Sequence, residues 1–158
     1  MATTHLSLIA QDRIVYEDDV DMVILPGASG VFAALAKHAP MMAVLQPGEI
    51  LVRKEGEDDR YFAVGGGFAE VRPDEVVALV RSAEAAEEID IARAEEALRR
   101  AQEYLHSPEK ERDMEQRLAM EAALRRSLAR MKVARRRAAV RSRGADQTAY
   151  RQAQQEEE

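Results

Sequence analysis

The stretch Val76-Val77-Ala78-Leu79-Val80-Arg81-Ser82-Ala83-Glu84-Ala85-Ala86-Glu87-Glu88-Ile89-Asp90-Ile91-Ala92-Arg93-Ala94 decides the fold. Its first five residues are an apolar, β-prone run, short enough for a buried strand. Its last residues open a segment, Ile89 to Leu105, rich in Ala, Glu, Arg and Leu, all good helix formers. Two different materials therefore meet near residue 84, and the two sides call for different architectures.

Upstream, short apolar runs alternate with turn signals. His5 to Ala10 places Leu6 and Leu8 on one face. Ile14, Val20, Val23 and Ile24 follow, then Pro26-Gly27 and Ser29-Gly30 mark a turn. Met41 to Leu45, Ile50 to Val52, Tyr61 to Val64 and Phe68 to Val71 complete the set with Val76 to Val80. Turns recur about every 8–12 residues, the spacing of a small β-sandwich or barrel. Gly65-Gly66-Gly67 lacks the Lys-Ser/Thr and helix of a phosphate loop, so it reads as a supply of positive φ or as close sheet approach.

Downstream, no glycine occurs between 68 and 143. Asp90 suits the helix start, and Ile91, Ala94, Leu98, Ala101 and Leu105 recur at helical spacing. Ser107-Pro108 predicts a new helix from about 108 to about 141, with a stripe of Met114, Leu118, Leu124 or Ala122, Leu128 and Met131. The two helices read as an antiparallel hairpin. Their Ala-rich stripes bury little area, which makes the pair marginal unless docked. Residues 144–158 turn polar and read as a disordered tail.

Charge divides the chain in the same place. Residues 1–84 hold 7 basic and 14 acidic side chains; residues 85–158 hold 16 and 15. Within 123–143 stand nine Arg or Lys and no acid. Such a block calls for an acidic partner surface, a phosphate ligand, or solvation alone. Between 105 and 149 there is no Phe, Tyr or Trp, so the stacking side chains of a nucleic-acid binder are missing and no nucleic-acid partner is expected. With no Cys in 158 residues, thiol chemistry and thiolate metal sites are excluded. No nucleophile setting or His/Glu metal spacing occurs, so neither catalytic residues nor a metal are predicted. No segment has the length of a signal peptide core or a spanning helix, which reads as a soluble, intracellular protein.

A set of patterns carries a resemblance. Leu25-Pro26-Gly27-Ala28-Ser29-Gly30 leads to His38-Ala39-Pro40, then to Leu45-Gln46-Pro47-Gly48. Gly65-Gly66-Gly67-Phe68-Ala69-Glu70-Val71 and Glu84 with Ile89-Asp90-Ile91-Ala92-Arg93-Ala94 follow. In order and spacing, over roughly residues 3 to 141, these resemble the bacterial epsilon subunit of the F-type ATP synthase (delta in mitochondrial naming).

The resemblance implies a flattened ten-stranded β-sandwich over 1–84, binding the gamma subunit and the c-subunit ring. A regulatory antiparallel α-helical hairpin over 85–143 would follow. It implies a non-catalytic rotor subunit, peripheral on the cytoplasmic face of the bacterial inner membrane. The hairpin would inhibit ATP hydrolysis when extended into the alpha/beta catalytic head. There Arg125, Arg126, Arg130, Lys132, Arg135, Arg136 and Arg137 would face acidic residues. Family members that bind regulatory ATP in the folded hairpin imply a site of Asp90, Arg93, Arg100, Arg126 and Arg130. Val31, Phe32 and His38 would face the c-ring, with Glu70 structural or facing gamma. The family often has Gly where Ala33 and Lys37 stand, and it offers no match beyond Ser142. Sequence physics alone also admits a free-standing ATP-sensing or nucleic-acid-binding protein that uses the basic helix pair.

Overall fold

The computed structural model describes residues 2–107 and 113–156. Eight strands come first: β1 (Thr4–Ile9), β2 (Ile14–Val20), β3 (Met22–Gly27), β4 (Gly30–Leu35), β5 (Met41–Arg53), β6 (Arg60–Val71), β7 (Glu75–Val80) and β8 (Ala83–Ala85). A 3-10 turn, Ala86–Glu88, leads to α1 (Ile91–His106) and α2 (Met114–Glu156).

The strands pair in the order β2-β1-β7-β6-β5-β3-β4, with β8 added to β6. All these pairs are antiparallel except β1 with β7. β5 and β6 are long because each crosses from one layer of a sandwich to the other. The crossing sits where Pro47 and Gly48 on β5 face Gly65 and Val64 on β6. The first arm of β6 pairs β8 at Phe62–Val64, and its second arm pairs β7 at Gly67–Val71. Counted by layer, the two arms of β5 and of β6 bring the eight strands to the ten expected.

Gly67 makes the crossing possible. Its φ is +153°, and a Cβ there would run into the Leu79 carbonyl oxygen and stand 2.8 Å from Val80 Cα. No other residue fits.

Between the layers lie Leu6, Leu8, Val20, Val23, Leu25, Ile50, Val52, Phe62, Val71 and Val76, all essentially inaccessible. A second, smaller core joins the hairpin to the outside of the sandwich. Ala63 of β6, Ala86, Ile89, Ala94 of α1, and Val133 and Ala134 of α2 form it, with Tyr61 and Met131 alongside.

The sequence placed the helices correctly and some of their faces wrongly. Ala94 and Ala101 are buried as expected, but Ile91 is exposed. On α2 the predicted stripe holds in part: Ala122, Leu124 and Met131 are half-buried, but Met114, Leu118 and Leu128 are exposed, while Ser127, Ala129, Val133 and Ala134 are buried. α2 packs against α1 and the sandwich together, and close approach on two sides selects small side chains over large ones.

Capping also differs at one end. Asp90 accepts from the Arg93 N–H at 3.2 Å, as expected of an N-cap. Ser107 instead closes α1, its N–H bonded to the Tyr104 carbonyl. Asp113 starts α2, accepting from the Gln116 N–H at 3.2 Å. Pro108, expected at the first position of the second helix, lies outside the described residues. α2 then continues past 141 to Glu156, where a disordered tail was expected. Gly144 costs a helix only about 1 kcal/mol, and the Ala, Gln, Arg and Glu around it favour one.

Candidate functional site

β6 and β8 on one side and α1 and α2 on the other enclose a cleft of about 470 Å³. Ala63, Val64 and Gly65 supply the sandwich wall, with Ser82 and Glu84 at its edge. Arg93 and Ala97 enter from α1; Ala123, Arg126, Ser127 and Arg130 enter from α2. Positions 93 and 97 are four apart, as are 126 and 130, so each pair shares a helix face.

The wall is bare backbone at Gly65. A Cβ there would stand 2.5 Å from Ser82 Oγ and 3.5 Å from Arg126 Cδ. The Gly65 N–H donates to the Ser82 carbonyl at 3.0 Å, which fixes the edge.

Three guanidinium groups and one carboxylate thus line the cleft. Arg130 forks onto Glu84, Nε to Oε2 at 2.6 Å and Nη2 to Oε1 at 3.2 Å. Arg93 and Arg126 form no ion pair with any described residue. The cleft therefore keeps an excess positive charge beside partly apolar walls, an arrangement suited to a polyanion with an apolar part. Among the described residues no group of three or more His, Asp or Glu is placed to hold a metal ion.

Of the predicted ligand-binding set, Arg93, Arg126 and Arg130 come together. Asp90 does not line the cleft; it caps α1 and thereby sets the turn that carries Arg93. Arg100 shares the Arg93 face but lies two turns on, about 10.5 Å along the axis, and is exposed outside the cleft. Glu84, Ser82 and Ser127 were not predicted as lining residues. Their signal was weak, since only folding brings them to the arginines.

Two more members of the basic block bind inward. Arg136 reaches Glu49 at 3.4 Å and lies over the Tyr61 ring at 5.4 Å. Arg137 donates to the Glu87 carbonyl at 3.2 Å. Arg130 on Glu84 and Arg136 on Glu49 hold α2 to acids of the sandwich, and Arg137 holds it to the 3-10 turn. Arg125, Lys132 and Arg135 remain exposed. The linker has its own clasp: Arg13 Nη2 reaches Glu88 at 3.0 Å and the Ala83 carbonyl at 3.3 Å. Glu88 in turn accepts from the Ala85 N–H at 3.2 Å.

The other predicted interface residues lie near the β4 end and on β6. Val31 is 70% exposed, while Phe32 is half-buried and packs on the sandwich core. His38 donates Nδ1–H to the Ala39 carbonyl at 2.7 Å. Lys37 beside it has φ 65°, the conformation that favours glycine. Glu70 is held by Arg72 at 2.8 and 3.0 Å.

One surface was missed. Val44, Phe68 and Leu79 stand side by side across β5, β6 and β7, with Met42 beyond Val44, all more than half exposed. The strand period carried the signal: Val44, Phe68 and Leu79 each stand next to a core residue, Leu45, Ala69 and Val80, and must point outward. A contiguous apolar face on a sheet marks an interaction surface.

Residues 3–86 match the family profile described as "ATP synthase, Delta/Epsilon chain, beta-sandwich domain". Residues 87–135 match that of "ATP synthase, Delta/Epsilon chain, long alpha-helix domain". The ATP synthase epsilon chain of Dehalococcoides mccartyi is 46% identical over 139 residues, covering 87% of this chain and 96% of that one. That of Priestia megaterium is 48% identical over 107 residues, covering 68% and 79%. A chain in a cryo-EM structure of the Euglena gracilis mitochondrial ATP synthase, OSCP/F1/c-ring, superimposes with a TM-score of 0.69 at 29% identity, covering 79% and 77%.

Proposed function

The chain belongs to the ATP synthase delta/epsilon family, and on that premise we propose that it is a non-catalytic rotor subunit with a nucleotide-responsive brake. Its sandwich joins the gamma subunit and the c-ring of a bacterial F-type enzyme, coupling rotation to ion translocation. It sits peripherally on the cytoplasmic face of the inner membrane. Its hairpin restrains ATP hydrolysis when extended and binds ATP when folded.

The observation that carries the nucleotide part is the convergence of Arg93, Arg126 and Arg130 between the two domains. Arg93 and Arg126 are placed to fork onto phosphate oxygens, while Ala63, Val64 and Ala97 offer apolar contact to a base. Asp90 acts through Arg93 by fixing the first turn of α1. A ligand bound by α1, α2 and the sandwich edge together favours the folded hairpin over any arrangement that separates them. At a hundred times its dissociation constant it would stabilise that form by about 2.7 kcal/mol.

Release of the hairpin would free Arg130, Arg136 and Arg137 from Glu84, Glu49 and the Glu87 carbonyl, to join Arg125, Lys132 and Arg135, which are already exposed. Those charges would then meet acidic residues of the catalytic head, where they set orientation and register. The apolar face of Met42, Val44, Phe68 and Leu79 is the surface we assign to gamma, and the Val31 to His38 edge to the c-ring.

The test uses the assembled complex. Truncation after Ala86 should preserve co-purification with gamma and raise ATP hydrolysis at low ATP. Unchanged hydrolysis would remove the brake, and loss of gamma would show that the hairpin, not the sandwich, makes that contact.

A further inference from the structure

A second cleft lies on the opposite flank of α2. Arg126 and Arg130 face the first cleft; Arg125, Leu128, Ala129, Lys132 and Arg136 face the second. Its volume is about 540 Å³, and its far wall is the outer surface of β3, β4 and β5. Ile24, Pro26, Val31, Pro47 and Leu51 give that wall its apolar part, and Gln46 and Glu49 interrupt it, Glu49 being held by Arg136.

Two features of this cleft are left unanswered within the described chain. Val31 and Leu128, 70% and 50% exposed, look across it from opposite sides. Arg125 and Lys132 form no ion pair with any described residue, whereas Arg136 is engaged by Glu49. Apolar walls under two free cations complement a molecule that is apolar along its length and anionic at one end.

We propose that this cleft binds a single-chain anionic amphiphile of the fatty-acid class. Its carboxylate lies between Arg125 and Lys132, and its hydrocarbon lies against Ile24, Val31, Leu51 and Leu128. The two cations are seven residues apart, about 10.5 Å along the helix, a gap that their long side chains span. A free inorganic anion would leave the apolar walls wet. For an acidic peptide strand β3 and β5 are closed, hydrogen-bonded on both sides, and only the edge strand β4 could pair with it, an alternative that the peptide competition below tests. Because the ligand touches both α2 and the sandwich, it fastens the hairpin in its folded position. This inference does not rest on the nucleotide reading.

The experiment titrates the full-length chain with 11-(dansylamino)undecanoic acid below its self-association concentration, following dansyl fluorescence. The expected result is saturable one-to-one binding. It should weaken at least tenfold in the Arg125→Gln/Lys132→Gln double variant, in Leu128→Glu, and when the probe is replaced by its methyl ester. All the substituted side chains are exposed, and circular dichroism confirms each fold. Arg126→Gln should bind the probe unchanged while losing ATP, so the two readings fail separately. Equal binding by all variants, binding only above self-association, or full displacement by a Glu-rich peptide would overturn the proposal, the last in favour of an acidic protein partner.

Discussion

Glu84 on β8 and Arg130 on α2 meet through two hydrogen bonds, of 2.6 and 3.2 Å, across the seam between sandwich and hairpin. The pair is partly buried and bidentate, which separates it from the solvent-exposed ion pairs elsewhere on the surface. It resists undocking of α2 together with the apolar contacts of Val133 and Ala134, and it borders the cleft where the other two arginines stand open.

Replacing Glu84 by Gln keeps the shape and removes the charge. We expect the hairpin to lose about 1 kcal/mol of docking free energy, with the sandwich unaffected. Hydrogen exchange should read this as several-fold faster exchange confined to α1 and α2. Uniform acceleration across β1 to β7 would show that the pair supports the whole fold instead.

Ala94 is fully buried where α1 meets the second core. Ala94→Leu forces three further heavy atoms into that contact and should cost about 1–3 kcal/mol. The predicted outcome is a separate, earlier melting step for the hairpin. An unchanged single transition would mean that the helices have room that the packing does not show.

Gly67 permits the crossing of β6 between layers, and its φ of +153° is open to glycine alone. Gly67→Ala should destabilise the sandwich by at least about 2 kcal/mol, through strain and contact with the Leu79 carbonyl. Chemical denaturation measures it. A variant within about 0.5 kcal/mol of the parent would contradict the assignment.

The linker clasp predicts a pH effect with a definite sign. Hydrogen bonds from Arg13 hold the Glu88 carboxyl below its ordinary value of 4.5, against opposing desolvation. Folding therefore favours the ionised form. The stabilisation is fully present above the unfolded value and is lost as pH falls through the folded one. Amides of Ala85 to Ile89 should lose protection in acid at a higher pH than the sandwich core. Glu88→Gln should remove that step, and its persistence in the variant would assign it elsewhere.

Much of this fold was legible from residues. Turn spacing gave a sandwich, and the loss of glycine after 67 gave helices. Asp90 announced its own cap. Gly65-Gly66-Gly67 reads as positive φ or close approach and shows both, but that β6 crosses layers there was not legible, because Leu79, which closes on Gly67, is twelve positions away. The buried face of α2 was misread for a related reason. Large side chains dominate a periodicity count, yet contact with α1 and the sandwich at once admits Ser127, Ala129 and Ala134 and turns Leu118 and Leu128 away. In the cleft, Arg93, Arg126 and Arg130 came from a family resemblance and do converge. Arg100 matches the same pattern but is exposed and lines no part of the cleft. Glu84, their counter-charge, lies 46 positions from Arg130, too far for sequence pattern to join.

The central claim is that the arginine cleft holds ATP in the folded hairpin, and calorimetric titration of the isolated full-length chain tests it most directly. The account predicts one-to-one binding that weakens at least tenfold in Arg126→Gln, which leaves the Glu84–Arg130 pair in place. Absence of heat at millimolar ATP, or equal binding by the variant, would contradict it.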